Sequence, residues 1–254
     1  MKTLKTLAIV ALCATSLNIN SAIGQTADEI MKKVDDCVVP NDMKSIMKMN
    51  LIDKKNTVRQ RDLKTYKLSD KKTMMWFLSP ADVKGSSFFK INNDDKDDDM
   101  WIYLPALGKV RRIASSATNG SFMGSDFTYE DMGDRNLTDY TYSLLKEETL
   151  NEKQCWVIES TPKAGVSTDY SKIVSWVWKD EYISVKEESY NKKGVLKKVK
   201  TVELTKIKTY WMPKKTVMED LSATHKTELL FDKIEVDTGL DPKIFDQNNM
   251  TRIY

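Results

Sequence analysis

The stretch MWIYLPALGKVRRI at residues 100–113 decides the fold class of this chain. Large apolar side chains alternate along its first half, with Trp101 and Tyr103 sharing one face of the pattern. Pro105 and Gly108 then interrupt the alternation, and a second short run follows. The stretch therefore predicts two neighbouring β-strands joined by a tight turn.

Two consecutive arginines, Arg111 and Arg112, lie in the second of these strands and point to opposite faces by alternation. One of them can meet solvent or an anionic headgroup, while the other can pair with a carboxylate inside the fold. Two ordinary surface or ion-paired arginines are the simpler interpretation.

The period of two continues outward from this stretch in both directions and predicts about a dozen strands. Further strands are expected from residue 43 to residue 51 and at 57–68, 74–78, 86–91, 141–149, 154–160, 173–178, 182–190, 195–207, 214–221 and 225–236. The runs at 74–78, 100–104 and 173–178 are apolar on both faces, which a sheet exposed on one side would not need. A curved sheet covered on both faces is expected, with or without an enclosed apolar cavity. No helical patterns alternate with the strands, so a single mainly β domain is predicted.

A short helix is expected before the first strand. Thr26 and Glu29 form a capping-box pattern, and Ile30, Met31 and Val34 follow as an apolar stripe at helical spacing. Such a stripe must pack on something, most simply across the sheet.

Composition excludes several function classes. The 40 basic and 37 acidic residues interleave along the chain, so no basic stripe marks a nucleic-acid partner. A single histidine excludes metal sites built from several histidines. We expect neither a metal nor a cofactor.

Residues 1–24 have the pattern of a cleaved signal peptide. Two lysines precede an apolar run at residues 7–14 that is too short to span a bilayer, and residues 22–24 supply a cleavage site. Cys13 lacks the small preceding residue that a lipid anchor requires. The mature chain, residues 25–254, is expected as one soluble domain in an extracytoplasmic compartment.

The mature chain keeps two cysteines and one histidine. Its oxidising compartment permits a disulfide between Cys37 and Cys155, but their spacing fits two buried thiols as well. No nucleophile elbow, phosphate-binding loop or zinc-protease motif is present. His225 is expected as a surface or rim imidazole rather than a catalytic base.

Two polar segments need an interpretation. The acidic run at residues 93–99 lacks the central glycine and final glutamate of a calcium loop, so a solvated hairpin loop is favoured. The stretch SFMGSDFTYEDM at residues 121–132 predicts a loop that enters a short helical turn capped by Asp126. We expect it to be a structural lid or rim whose acids, Asp126, Glu130 and Asp131, bond backbone amides or one of the two arginines.

Three stretches of the sequence together resemble a known family. FLSPADVKGSSFF at residues 77–89, WIYLPALGKVRRI at 101–113 and FMGSDFTYEDM at 122–132 are similar, in this order, to the outer-membrane lipoprotein-sorting, LolA-like proteins of Gram-negative periplasms. The resemblance covers nearly the whole mature chain. It implies an incomplete, half-open antiparallel β-barrel of about eleven strands, with the N-terminal helix and short helices covering an apolar cavity.

The resemblance also implies a non-enzymatic carrier for lipoprotein acyl chains or free lipid. The expected partners are an inner-membrane exporter and an outer-membrane acceptor, and the carrier is expected to be a monomer. Methionine and aromatic side chains are expected to line the cavity: Met49, Trp76, Phe88, Trp101, Tyr103, Phe122, Phe127, Trp176 and Trp178.

Two other functions remain open at the level of sequence. The first is a lipid-sensing or accessory module of an RND/MMPL-type exporter or an envelope-stress system. The second is a hydrolase, which would require His225 to meet a serine and an aspartate in a cleft.

Overall fold

The computed structural model describes residues 25–94 and 96–254. The predicted signal peptide lies outside these residues. The strands are β1 Asp42–Ile52, β2 Val58–Leu68, β3 Lys72–Ser79, β4 Ser87–Ile91, β5 Asp99–Leu104, β6 Lys109–Ile113, β7 Tyr140–Leu150, β8 Lys153–Pro162, β9 Tyr170–Trp178, β10 Ile183–Asn191, β11 Leu196–Ile207, β12 Tyr210–Asp220 and β13 His225–Val236. The helices are α1 Ala27–Asp35 and α2 Tyr129–Met132.

All thirteen strands belong to one antiparallel sheet, in the order β6-β5-β4-β3-β2-β1-β13-β12-β11-β10-β9-β8-β7. Two runs of sequential strands meet where β1 pairs with β13, so the first and last strands lie in the middle. Strands β6 and β7 form the two edges and do not pair, which confirms the predicted half-open barrel. Residues 25–94 and 96–254 thus contain thirteen strands rather than the eleven implied by the resemblance, in agreement with the alternation pattern.

The connection between the two edge strands covers one face of the sheet. Residues 114–139, here called the crossing segment, leave β6 and reach β7 with α2 and short 3₁₀ turns on the way. Phe122 and Phe127 of this segment pack against Met49 of β1 and Leu229 of β13, in the middle of the sheet. We call the face that it covers the inner face.

Helix α1 covers another part of the inner face. The Thr26 hydroxyl accepts a hydrogen bond from the Glu29 backbone N–H, and the Thr26 backbone N–H donates one to the Glu29 carboxylate, which confirms the predicted capping box. Ile30 is fully buried against Ile158 of β8 and Val177 of β9. The predicted packing of the helix across the sheet is therefore confirmed. In the ranges that the structure describes, no helix is both long and apolar enough to cross a membrane.

The outer face of β2 to β5 is covered by the C-terminal residues 237–254. Leu240, Phe245 and Met250 pack on Trp76 and Phe89, and the Ser87 hydroxyl donates a hydrogen bond of 2.7 Å to the Met250 carbonyl. This cover explains why the strands at 74–78 and 100–104 are apolar on both faces.

A single buried carboxylate holds the start of this C-terminal cover. Asp42 accepts hydrogen bonds from the backbone N–H groups of Thr238, Gly239 and Leu240 at 2.8, 2.8 and 3.2 Å, and one from the Thr238 hydroxyl. Burial alone would raise the pKa of Asp42, but these donors outweigh it and lower that pKa.

Cys37 and Cys155, the two cysteines of the described residues, are both free thiols. Cys155 is buried in an apolar cluster on the outer face with Val157 and Trp176, whereas Cys37 is half-buried just after α1. Burial raises the pKa of both thiols, which favours their neutral form.

Replacing Asp42 with alanine should lower the free energy of unfolding by about 3 kcal/mol, because three backbone donors and a hydroxyl lose their acceptor. Urea denaturation followed by tryptophan fluorescence measures this effect, since Trp76 lies beneath the C-terminal cover. The control Asp232→Ala changes an exposed residue of β13 and should cost less than about 0.5 kcal/mol. Equal losses for the two variants would contradict the role of Asp42.

Candidate functional site

A cavity of about 590 Å³ lies between the inner face, the crossing segment and helix α1. Eight of the thirteen methionines of the chain line it. They are Met31, Met43, Met47, Met49, Met75, Met132, Met212 and Met218. Charged side chains gather in another part of the lining, so the cavity has an apolar region and a polar region. Its volume lies in the range of roughly 300–1,000 Å³ that holds one ligand of drug-like size.

Four of the nine predicted lining residues face this cavity and five do not. Met49, Phe88, Phe122 and Phe127 line it. The prediction is wrong for Trp76, Trp101, Tyr103, Trp176 and Trp178, which pack in clusters on the outer face.

Two factors place Trp76, Trp101, Trp176 and Trp178 on the outer face. Successive side chains of a strand alternate between the two faces, and on the outer face other groups cover these indole rings. On β9, Ile173 and Ser175 line the cavity, so Trp176 falls on the opposite face. The Lys186 ammonium lies 4.0 Å from the centre of the Trp176 ring, a cation–π contact that shields the indole from water. Trp101 stacks on Phe89 with the ring centres 5.3 Å apart.

Two phenylalanines anchor the crossing segment to the sheet. Phe122 is fully buried, and its ring meets Phe88 edge-to-face with the centres 5.1 Å apart. Phe127 is 4% exposed in the same cluster. The prediction that the aromatic side chains of this stretch contact the barrel interior is confirmed.

Asp126 joins the crossing segment to β13. Its carboxylate lies 2.8 Å from Nδ1 of His225 and accepts a hydrogen bond of 2.7 Å from the Thr227 hydroxyl. The Asp126 backbone N–H donates to the same hydroxyl at 3.0 Å. His225 is therefore a half-buried structural partner of Asp126, held at the end of β13 rather than loose at the surface.

Asp131 joins the crossing segment to β11 and β9. It lies 2.6 Å from the Lys198 ammonium and accepts a hydrogen bond of 2.8 Å from the Tyr170 hydroxyl. Burial alone would raise the pKa of Asp131, but the Lys198 charge outweighs it and lowers that pKa. Asp131 also forms a capping box with Thr128 at the start of α2, so the expectation that Asp126 caps this turn is wrong.

Glu130, the third predicted acid of the stretch, lies against the loop before β9. It accepts hydrogen bonds from the Thr168 hydroxyl and from the Asp169 backbone N–H. Burial raises the pKa of Glu130 above its usual range. The predicted bonding of these acids to backbone amides is thus confirmed for Glu130 and for Asp131, which accepts from the Thr128 N–H.

The expected pairing of these acids with an arginine of β6 is wrong. Arg111 and Arg112 are both exposed, and Arg112 pairs with Asp99 on the adjacent strand β5. The Arg112 guanidinium lowers the pKa of Asp99 to about 2. The edge position of β6 leaves both arginines away from the acids of the crossing segment.

The acidic run is only partly the solvated hairpin loop that its composition predicts. It does connect β4 to β5, and Asp94 and Asp97 are exposed. The Asp98 side chain is 6% exposed, accepts a hydrogen bond of 2.9 Å from the Asp134 N–H and lies 3.6 Å from the Lys90 ammonium.

A further ion-pair cluster lies in the cavity lining and was missed by the sequence analysis. Glu187 of β10 contacts Arg135 of the crossing segment at 2.8 Å and Lys200 of β11 at 2.7 Å. Burial alone would raise the pKa of Glu187, but the two cations outweigh it and lower that pKa to about 2. Charged residues are frequent on both faces of these strands, so alternation carries no signal for this cluster.

The contacts of Asp126 predict its contribution to stability. Asp126→Ala should reduce the free energy of unfolding by about 1–3 kcal/mol, because His225 and Thr227 lose their acceptor. Chemical denaturation of the purified protein measures this loss. Assays with esters, phospholipids and peptides should show no turnover. A hydrolytic rate that Asp126→Ala or Glu130→Gln abolished, with the circular dichroism spectrum unchanged, would contradict a structural role.

The low pKa of Glu187 predicts how stability depends on pH. Its folded value of about 2 lies below the ordinary value of 4.5, so the stabilisation is complete above pH 4.5 and is lost as the pH falls towards 2. The contribution amounts to about 3 kcal/mol. Glu187→Gln should flatten the unfolding free energy against pH over this window. An unchanged slope in the variant would contradict the assignment.

Comparison with known proteins places this arrangement in a family. A family model described as an uncharacterized protein family matches residues 69–252. A Vibrio parahaemolyticus domain, described as an outer membrane lipoprotein-sorting protein domain, is 31% identical with a TM-score of 0.81. The alignment covers 89% of this chain and 98% of that one. A DUF1329 family protein from Desulfovibrio piger is 29% identical with a TM-score of 0.82, covering 88% and 97% of the two chains.

A more distant structure shares the fold. A LolA superfamily protein from Nitrosomonas europaea is 21% identical with a TM-score of 0.67, and the match covers 88% of this chain and 99% of that one. None of the curated proteins matches the sequence. The half-open sheet, the crossing segment and these similarities lead to one conclusion: this chain belongs to the family of the outer membrane lipoprotein-sorting protein domain from Vibrio.

Proposed function

We propose that this protein is a periplasmic carrier that binds acyl chains of lipoproteins or other lipids and moves them towards the outer membrane. A cleaved signal peptide, residues 1–24, exports it, and residues 25–254 form one carrier domain. The observation that supports this function best is the cavity of about 590 Å³ lined by eight methionines beneath the crossing segment.

The physical need for such a cavity follows from the cost of exposing hydrocarbon to water. Each exposed methylene costs about 0.8 kcal/mol, so a chain that crosses an aqueous space needs an apolar enclosure. Methionine is unbranched and has three rotatable side-chain bonds, so a methionine lining can adjust to chains of different shape. The same adjustability allows release, because a carrier must give up its ligand.

The similar Vibrio domain supports the proposal through its description as a lipoprotein-sorting protein domain. The proposed carrier acts as a monomer between an inner-membrane exporter, which supplies the lipid, and an outer-membrane acceptor, which receives it. Neither step requires a cofactor.

The geometry around His225 supports a function without catalysis. In a hydrolytic triad the nucleophilic hydroxyl bonds to the imidazole, which the aspartate orients from its other side. Here the Thr227 hydroxyl donates to Asp126 instead, at 2.7 Å. The His225–Asp126 pair therefore connects the crossing segment to β13 without aligning this hydroxyl with the ring.

Native mass spectrometry of protein purified from the periplasm should show co-purified lipid, and displacement of a fluorescent fatty acid should report binding by the delipidated protein. Met75→Glu places a charge in the cavity lining and should weaken binding about tenfold or more. Met123→Glu is the matched control, because Met123 is equally half-buried but does not line the cavity.

The control variant should bind within about twofold of the unmodified protein, a difference of less than 0.5 kcal/mol. Absence of any bound or binding lipid would refute the carrier function. Equal weakening by the two variants would show that binding takes place elsewhere than in this cavity.

A further inference from the structure

One polar part of the cavity lining, separate from the Glu187 cluster, lies on a single row of the sheet. Lys67 of β2 lies opposite Thr73 of β3, and Thr73 lies opposite Lys90 of β4. All three residues line the cavity. Two lysines therefore face the same enclosed space from strands separated by only one other strand.

The two lysines differ in their partners. The Lys90 ammonium lies 3.6 Å from Asp98 and 3.4 Å from Asp134, so its charge is balanced. Among the residues that the structure describes, Lys67 belongs to no ion pair. Burial lowers the pKa of Lys67, and the Lys90 charge lowers it further, against weaker opposing effects of Asp134 and Asp70. The Lys67 amine thus faces the cavity with no counter-charge of its own.

A second polar group without a partner lies next to Lys67. Thr65 precedes it by two residues on β2, so both side chains lie on the inner face. Thr65 is 3% exposed and lines the cavity, yet its hydroxyl has no hydrogen-bond partner. A buried hydroxyl without a partner is costly, so the site gains free energy when a ligand atom accepts its hydrogen.

The lining becomes apolar immediately beyond Thr65. Met75 lies opposite Thr65 on β3, and Phe88 lies opposite Met75 on β4. Phe122 of the crossing segment packs on Phe88. A ligand whose polar end contacts Lys67 and Thr65 would therefore direct its other end onto Met75 and Phe88.

We infer that the ligand of this cavity is a single-chain amphiphile whose anionic headgroup, a carboxylate or a phosphate, accepts hydrogen bonds from Lys67 and Thr65. An anionic oxygen accepts from both an ammonium and a hydroxyl, and a charged donor strengthens the bond. The hydrocarbon chain then lies along the methionine lining. This inference rests on the proposed carrier function and specifies its ligand class.

The test compares three ligands with the same hydrocarbon chain: dodecanoate, dodecyl phosphate and dodecanol. Their dissociation constants for the delipidated mature protein are measured by displacement of a fluorescent fatty acid. Lys67→Met and Thr65→Val are compared with Lys48→Met, a lysine that alternation places on the outer face of β1. Lys67→Met removes an unbalanced charge from the interior, so the variant should remain folded.

The unmodified protein should bind at least one of the two anions about tenfold or more tightly than dodecanol. Lys67→Met should abolish this preference for an anion and leave dodecanol binding within about twofold of the unmodified protein. Thr65→Val should reduce the preference. The control Lys48→Met should retain it. The ratio of the dissociation constants for dodecanoate and dodecyl phosphate shows whether the cavity prefers a carboxylate or a phosphate headgroup.

Equal binding of all three ligands, or a preference that survives Lys67→Met, would overturn the headgroup assignment while leaving the carrier function standing. Failure of every ligand to bind would overturn both.

Discussion

The structure depends on the fact that its sheet does not close. Strands β6 and β7 are the two edges of the thirteen-stranded sheet, and the chain must run from one to the other through residues 114–139. This connection crosses the inner face and supplies Phe122 and Phe127 to the core. Without it, the methionines of β1 and the leucine at 229 would face water, and only helix α1 would remain as a wall of the cavity opposite the sheet. The path of the crossing segment therefore determines both the core and the candidate site.

Two kinds of contact hold the crossing segment, and they have different physical consequences. The buried phenylalanines contribute hydrophobic free energy but tolerate some sliding, because dispersion contacts have little directionality. The charged groups Asp126, Asp131 and Arg135 meet fixed partners on β13, β11 and β10 at 2.6–2.8 Å. A buried charge that loses its partner costs several kcal/mol, so any other position of the segment is disfavoured. These pairs therefore fix the position of the segment more than they add to its stability.

Eight methionines and four of the six tryptophans of the chain lie on opposite faces of the sheet, whereas Met74 packs beside Trp76 on the outer face and Trp156 packs with α1 on the inner face. Methionines line the inner cavity, while Trp76, Trp101, Trp176 and Trp178 pack on the outer face against the C-terminal residues or beneath lysine side chains. Indole rings are large and stiff and suit a face that remains packed. Thioether side chains adapt to gaps of irregular shape and suit a face that must accept and release a ligand. This separation connects the composition of the chain to the carrier function, and the polar row at Lys67 gives the adaptable cavity a defined polar end.

The sequence by itself determined the strands, the capped N-terminal helix and the family, because alternation, capping and linear motifs are local properties. Residues 225–236, for example, were predicted as a strand and are β13 with the same bounds. Only the tertiary structure decided which face of each strand points inward. Alternation separates Trp176 from Ser175 but does not say which of the two faces the cavity, and on strands that are apolar on both sides hydrophobicity gives no answer. The partners of Asp126 and Asp131 likewise lie 99 and 67 positions away, on strands that only the sheet order brings beneath the crossing segment.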